Sequence, residues 1–149
     1  MRFQQATLTD LALIFALMRQ MQCDDPWSEP FEESIVRKSL ADVLQNPAYG
    51  VIYVAQDEGA PVGYLVICFD FSLEYQGKGA WIDELFVVRS HRGQGIGMRF
   101  LELAEEVAAE HGAMFLHLEV THGNPAIELY RRCGFADHQR YLMTKRLAE

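Results

Sequence analysis

Between Arg92 and Gly97 the chain reads Arg-Gly-Gln-Gly-Ile-Gly, at the junction of an apolar strand-like run, Trp81 to Val88, and a helix-like run, Met98 to Glu110. Alternate glycines at such a junction restrict the local fold, because they specify backbone that other residues adopt only under strain. They also uncover what a helix start offers. The first N–H groups of a helix have no internal partner, and the macrodipole puts partial positive charge at the same end. Gly93, Gly95 and Gly97 remove the Cβ atoms that would hold an anion away, and Arg92 adds a full positive charge beside them. An ordinary glycine-rich turn has the same composition, so the flanking residues must decide between a phosphate site and a plain connection.

Two common phosphate loops do not fit. A Walker loop ends in Lys followed by Ser or Thr, which this turn lacks. A dinucleotide fingerprint has a different glycine spacing and opens a βαβ unit, whereas this turn lies well past mid-chain.

The order Arg92-x-x-Gly95-x-Gly97, following Ile82-Asp83-Glu84-Leu85-Phe86-Val87-Val88, resembles the acyl-CoA signature of the GNAT N-acetyltransferases. Downstream, Gly123-Asn124-Pro125-Ala126-Ile127-Glu128-Leu129-Tyr130 and then Cys133-Gly134-Phe135 resemble the second segment of the same family, an Asn before a short Tyr-bearing helix that closes at Gly-Phe. Asn124 stands two residues before Ala126, where the family more often has three. The resemblance covers about Ala80 to Leu147, and its Ile82 to Gly97 part is similar to the polyamine and thialysine acetyltransferase branch.

This resemblance implies a single α/β domain over residues 1–149, with a central mixed, mostly antiparallel sheet, helices on both faces and strands splayed at the CoA site. It implies acetyl-CoA as co-substrate and a homodimer. The N–H groups of Gln94 to Met98 would cradle the pyrophosphate. The residues that would hold CoA are Leu85, Phe86, Val87, Val88, Arg92, Gly93, Gln94, Gly95, Ile96, Gly97, Met98, Asn124, Ala126 and Tyr130. Leu85 to Val88 would do so through backbone groups freed by a bulge near Asp83 to Leu85. The implied reaction is direct attack of an amine on the thioester, with Tyr130 as proton donor to the leaving thiolate and a backbone N–H near Phe86 or Val87 facing the oxyanion.

For the base, Asp83 and Glu84 are adjacent on a strand and point to opposite faces unless a bulge intervenes. Glu84 is the first candidate, because a carboxylate inside an apolar strand is costly unless a cleft or a partner accommodates it. Its alternative role is pairing with Arg92 or a similar base to brace the glycine turn. Glu119 is a further candidate for binding the amine. Trp27, Phe31, Glu32, Glu33 and the Phe71 to Tyr75 loop form a candidate aromatic and acidic rim suited to a cation. The acceptor read from this is a small primary amine; acetylation of a peptide or protein amine, and a non-catalytic acyl-CoA sensor, are the alternatives.

Composition narrows the classes. The 149 residues, half of them hydrophobic, suffice for one core. A formal net charge of −8 with dispersed basic residues argues against a nucleic-acid surface. No apolar run approaches the roughly 20 residues of a membrane span, and Met1 to Gln5 does not read as a signal peptide, so a cytoplasmic protein without membrane partners is expected. Cys23, Cys68 and Cys133 are far apart and the five histidines form no ligand pair, so no metal is expected.

Periodicity gives the remaining elements: a strand over Arg2 to Ala6, helices from Leu11 through Met21 and over Phe31 to Leu44, and strands over Val51 to Gln56 and Val62 to Phe71. Further strands are expected over Ala80 to Val88, Met114 to Val120 and Tyr141 to Leu147, and a helix from Pro125 to Cys133. The expected order is βααββββ-like, then αβαβ.

Overall fold

The structure, a computed structural model, describes residues 1–147. Its contacts fall into two compact units, Met1–Glu119 and Val120–Glu149.

In the first unit, β1 (Arg2–Gln5) leads to Thr7, whose N–H donates to Asp10 Oδ2 at 2.8 Å and whose hydroxyl faces the same oxygen at 3.2 Å. This reciprocal cap opens a short 3-10 turn, Leu8–Asp10, and then α1 (Leu11–Asp24). Apolar residues at three- and four-residue spacing put Ile14, Phe15, Leu17, Met18 and Met21 in the core. Helix α2 (Glu33–Gln45) buries Val36 and Leu40 and stops at Asn46, which precedes a proline and so leaves helical backbone.

Strands β2 (Gly50–Asp57), β3 (Ala60–Ser72) and β4 (Gly77–Val87) form an antiparallel meander beside β1, and β5 (Phe115–Leu118) adds to β4 in parallel. The β2–β3 hairpin closes on Glu58 and Gly59, with φ of 48° and 84°, a two-residue turn whose twist matches that of its strands. Three strands rather than four follow the helical pair. The apolar runs extend into single long ladders, and the loop at residues 73–76 is the only break between β3 and β4.

Ile52, Val54, Tyr64, Val66 and Phe86 face α1 and α2. On the opposite face lies α3 (Ile96–Glu110), whose Phe100 ring would be 3.1 Å from a Cβ at Gly63 and meets Phe3 edge-on at 5.1 Å. Helices therefore cover both faces of the mixed sheet, as the resemblance implied. The β4–β5 ladder ends at the Ile82–Leu118 pair, so β4 runs on from Asp83 to Val87 without β5 beside it. That is the expected splay.

In the second unit, Asn124 Oδ1 accepts the Ala126 N–H at 2.9 Å and its carbonyl accepts that of Ile127, which starts α4 (Ile127–Arg132). Gly134, at φ 89°, turns the chain out of the helix. The strand expected over Tyr141 to Leu147 is not formed. Strand propensity needs a partner ladder to express itself. No strand ladder forms over residues 141–147 among the described residues, and Tyr141, Leu142, Met143 and Leu147 stand exposed.

Candidate active site

The glycine turn is built from backbone. Gly93 and Gly95 take φ of 74° and 82°, and Gly95 is the N-cap of α3, which starts two residues before the expected Met98. A Cβ on either glycine would meet no atom within 4 Å. They are therefore required for conformation and openness rather than for packing room. Among the described residues, the first N–H after Arg92 with a backbone partner is that of Arg99, which donates to Gly95 O at 3.0 Å. The N–H groups of Gly93, Gln94, Gly95, Ile96, Gly97 and Met98 thus make a run with no backbone acceptor, at the positive end of a helix of 15 residues. The Gln94 side chain folds away, donating to Ser90 O at 3.2 Å.

Arg92 is braced on both sides. Its Nε–H donates to Val87 O at 2.8 Å, and its terminal nitrogen pairs with Asp24 at the end of α1, which also pairs with Arg89 at 2.6 Å. The hydrogen bond from Arg89, with further help from Arg92, holds the Asp24 carboxyl below its ordinary value. A cleft of about 610 Å³ lies against this bridge, lined by Gln20, Cys23, Asp24, Phe86, Val88, Arg89 and Ser90.

Upstream on β4, the bulge sits at Asp83. Register passes directly from Val66–Glu84 to Ile67–Ile82, leaving Asp83 without an opposite residue. The bulge removes the strict alternation that would send the two acids to opposite faces, and the charges of both reach Tyr64 and Cys68. Glu84 accepts a 2.7 Å hydrogen bond from the hydroxyl of Tyr64, which is 0% exposed and also contacts Met21 Sδ at 3.2 Å. Glu84 is therefore not the partner of Arg92.

Burial pushes the Glu84 carboxyl up to about 7, with the Asp83 charge adding to the rise and hydrogen bonds from Tyr64 and Trp27 opposing it. Desolvation also raises Asp83. Tyr64 is driven far above the ordinary tyrosine value by burial and then by Glu84, so it stays protonated and remains a donor. Burial lifts the Cys68 thiol to about 11, which keeps it from acting as a thiolate nucleophile at neutral pH.

Of the predicted rim, Trp27 and Phe31 pack together, 5.2 Å between ring centres, against the α1–α2 core, and Glu33 pairs with Arg37. In the second unit Tyr130 packs edge-on to Phe135 at 6.1 Å, and Asn124 serves as the local cap already described. Sequence reasoning missed Tyr64. Its only signal was a hydroxyl in the otherwise apolar run Val62 to Ile67, which implies a buried partner. No helix among the described residues is long and apolar enough to cross a membrane.

Residues 15–135 match the Acetyltransferase (GNAT) family. The chain is similar to a streptothricin acetyltransferase of Streptomyces lavendulae, with 50% identity over 37% of this chain and 30% of that one. It is also similar to the mouse (Mus musculus) thialysine N-epsilon-acetyltransferase, with 32% identity over 91% of this chain and 84% of that one. The matched part of the cattle (Bos taurus) counterpart is 45% of its length, so the chain spans less than half of two of these curated relatives. Among solved structures, a predicted acetyltransferase with acetyl-CoA from Clostridium acetobutylicum shares the fold at TM-score 0.79 and 20% identity, over 97% of this chain and 95% of that one. The match over residues 15–135, most of the chain, places it in the Acetyltransferase (GNAT) family, whose implied strand, bulge and glycine-opened helix the structure holds in that order.

Proposed function

We propose that the chain is an acetyl-CoA-dependent N-acetyltransferase that acetylates a primary amine of a small molecule by direct attack. The observation that carries this reading is Glu84, a half-buried carboxylate raised to about 7, on the strand that leads into a run of unpartnered helix-start amides. A base near neutrality is matched to taking a proton from an incoming ammonium group at ordinary pH. The amides from Gly93 to Met98 are matched to a diphosphate.

In this reading Glu84 accepts the acceptor's proton while Tyr64 holds its carboxylate in place, and Asp83 adds negative charge beside it. Leu85 to Val88 offer backbone to the pantetheine arm, because β5 does not pair with that stretch. A backbone N–H near Phe86 or Val87 faces the oxyanion. The high Cys68 value supports direct transfer over an acyl-cysteine route through that thiol. Tyr130 is the proposed proton donor to the leaving thiolate, on the strength of its place in the Asn-to-Gly-Phe segment; Y130F is expected to lower turnover about tenfold with little change in acetyl-CoA affinity, and an unchanged rate would remove it from the reaction. The resemblance also supports contacts from Asn124 and Ala126 to CoA and a homodimer.

The deciding experiment follows thiol release from acetyl-CoA across a panel of small amines, free peptide N-termini and lysine peptides, alongside the melting temperature with saturating acetyl-CoA. A raised melting temperature and release with small amines are expected. Release with peptides alone would overturn the small-molecule acceptor, and binding without release would leave an acyl-CoA sensor.

A further inference from the structure

The last turn of α1 reaches the carboxylate site through two neighbouring residues. Met21 Sδ receives the Tyr64 hydroxyl at 3.2 Å, and Gln22 accepts the backbone N–H of Trp27 on its Oε1 at 3.1 Å. Tyr64 and Trp27 both donate to Glu84 through their side chains. The end of α1 therefore stands behind two donors of one carboxylate, Tyr64 from β3 and Trp27 from the segment that joins α1 to α2.

Residues 25–32 form no helix or strand, and apart from Trp27 and Phe31 they are exposed. These two rings are turned inward, 5.2 Å between their centres, and Phe31 meets Phe15 of α1 at 5.7 Å. A phenylalanine at position 27 would supply the same packing. What tryptophan adds is the indole N–H, and it is directed to Glu84. Gln22 argues the same way. Its Nε2 is buried with no hydrogen-bond partner among the described residues. An apolar side chain would fill that space without stranding a donor, so the feature that glutamine supplies there is the oxygen that seats Trp27.

Both donors are neutral, and no Lys or Arg among the described residues pairs with Glu84. A cation beside the carboxylate would hold it ionised and weaken it as a base, whereas neutral O–H and N–H donors fix its direction at a smaller loss of basicity. The titratable groups that face it are Asp83 on its own strand and Tyr64 and Cys68 on β3; α1 brings Met21 and Gln22, which do not titrate. We propose that Trp27, seated by Gln22, is a positioning residue for the transfer, orienting the Glu84 carboxylate from outside the sheet, so that the base is complete only with the segment between α1 and α2 docked on it. The proposal rests on the reading of Glu84 as the base of the transfer site.

Two measurements test it. The chain has two tryptophans, and W81F identifies the indole N–H resonance of Trp27 by NMR. In wild type that resonance is expected to shift with a midpoint at about pH 7, as Glu84 changes charge, and in E84Q to stay still. A Trp27 resonance that does not titrate, or that titrates alike in E84Q, would overturn the proposal. In kinetics, W27F keeps a ring and removes the donor, so the pH limb of kcat/KM should move up; thiol release at pH 7 should fall about fivefold and recover by pH 9, with acetyl-CoA affinity unchanged. A loss that is equal at every pH would mean that Trp27 only fills the core, and would overturn the proposal. If W27F does not fold, Q22L leaves the indole in the chain and removes the acceptor of its main-chain N–H; its limb must rise as well, and an unmoved limb would again overturn it. A limb that E84Q abolishes and W27F leaves in place would sink the positioning role and keep Glu84 as the base. A Trp27 resonance that titrates and is stilled by E84Q, beside a kinetic limb that survives in E84Q, would sink Glu84 as the base and leave Trp27 as the residue that orients its carboxylate.

Discussion

The glycine turn and the carboxylate site occupy consecutive stretches of chain, yet they are made in opposite ways. The turn is main chain: positive φ at Gly93 and Gly95, open space where Cβ atoms would stand, and N–H groups without backbone acceptors. The carboxylate site is side chain and tertiary: Glu84 is useful only because a bulge redirects it and because Tyr64, 20 residues away, meets it at 2.7 Å. The first kind of site tolerates exchange of neighbouring side chains and fails when its backbone is closed. The second keeps its backbone and fails when one hydrogen bond or one charge is altered.

The sharpest way to break this comparison is at the turn. G95E puts bulk and negative charge where an anion would sit, at a φ of 82° that a side chain adopts only under strain. Loss of measurable acetyl-CoA binding by calorimetry is expected, while Glu84 keeps its environment. A folded G95E protein with wild-type CoA affinity would show that the amide run is not the phosphate site.

The next largest effect belongs to the other site. E84Q keeps size and a hydrogen-bond acceptor and removes the base, so kcat/KM should fall by roughly 10²–10⁴-fold with acetyl-CoA affinity unchanged. In wild type the same quantity should rise with pH through about 7, where Glu84 loses its proton. That limb should vanish in E84Q. A surviving limb at the same pH would assign it to another group.

These two regions also differ in how far the residues foretold them. The turn was legible because glycine spacing acts locally: Gly93, Gly95 and Gly97 between a strand and a helix specify the backbone whatever packs around it. The bulge was legible only as an alternative, since nothing in Asp83-Glu84 says whether alternation holds. The Tyr64 bond was not legible at all, because it depends on which residue of β3 falls opposite Phe86 and on how the bulge displaces its neighbour. Arg92 shows the same limit. Its charge was read as belonging to the turn, and the structure divides it between Val87 O and Asp24, a residue 68 positions away. Tyr141 to Leu147 erred in the other direction, since its apolar composition reads as a strand and no ladder forms.

Stability offers a smaller effect that separates the two sites without any substrate. Glu84 is raised from 4.5 to about 7, so folding favours its protonated form. The associated stabilisation is complete below about 4.5 and is lost as pH rises through about 7. At about 1.4 kcal/mol per pKa unit the loss is of the order of 3 kcal/mol, and a permanently neutral glutamine does not suffer it. Urea unfolding at pH 5 and pH 9 should therefore show E84Q gaining on wild type at the higher pH. Parallel stabilities at both pH values would mean that Glu84 is not perturbed, and its candidacy as base would weaken with it.

Y64F makes the smallest change and tests the coupling itself. The hydroxyl donates to the ionised carboxylate and so opposes the rise that burial imposes; deleting it should move the kcat/KM limb above about 7. Turnover at pH 7 should then drop severalfold and recover toward wild type near pH 9. A Tyr64 that merely fills the core would instead leave the limb in place and lower stability at every pH. Tyr64 contacts Met21 of α1 through the same hydroxyl, so the variant also asks whether α1 helps to set the base. A shifted limb with unchanged acetyl-CoA affinity would mean that the carboxylate site is tuned through its side-chain neighbours, independently of the main-chain turn that lies beyond the end of its strand.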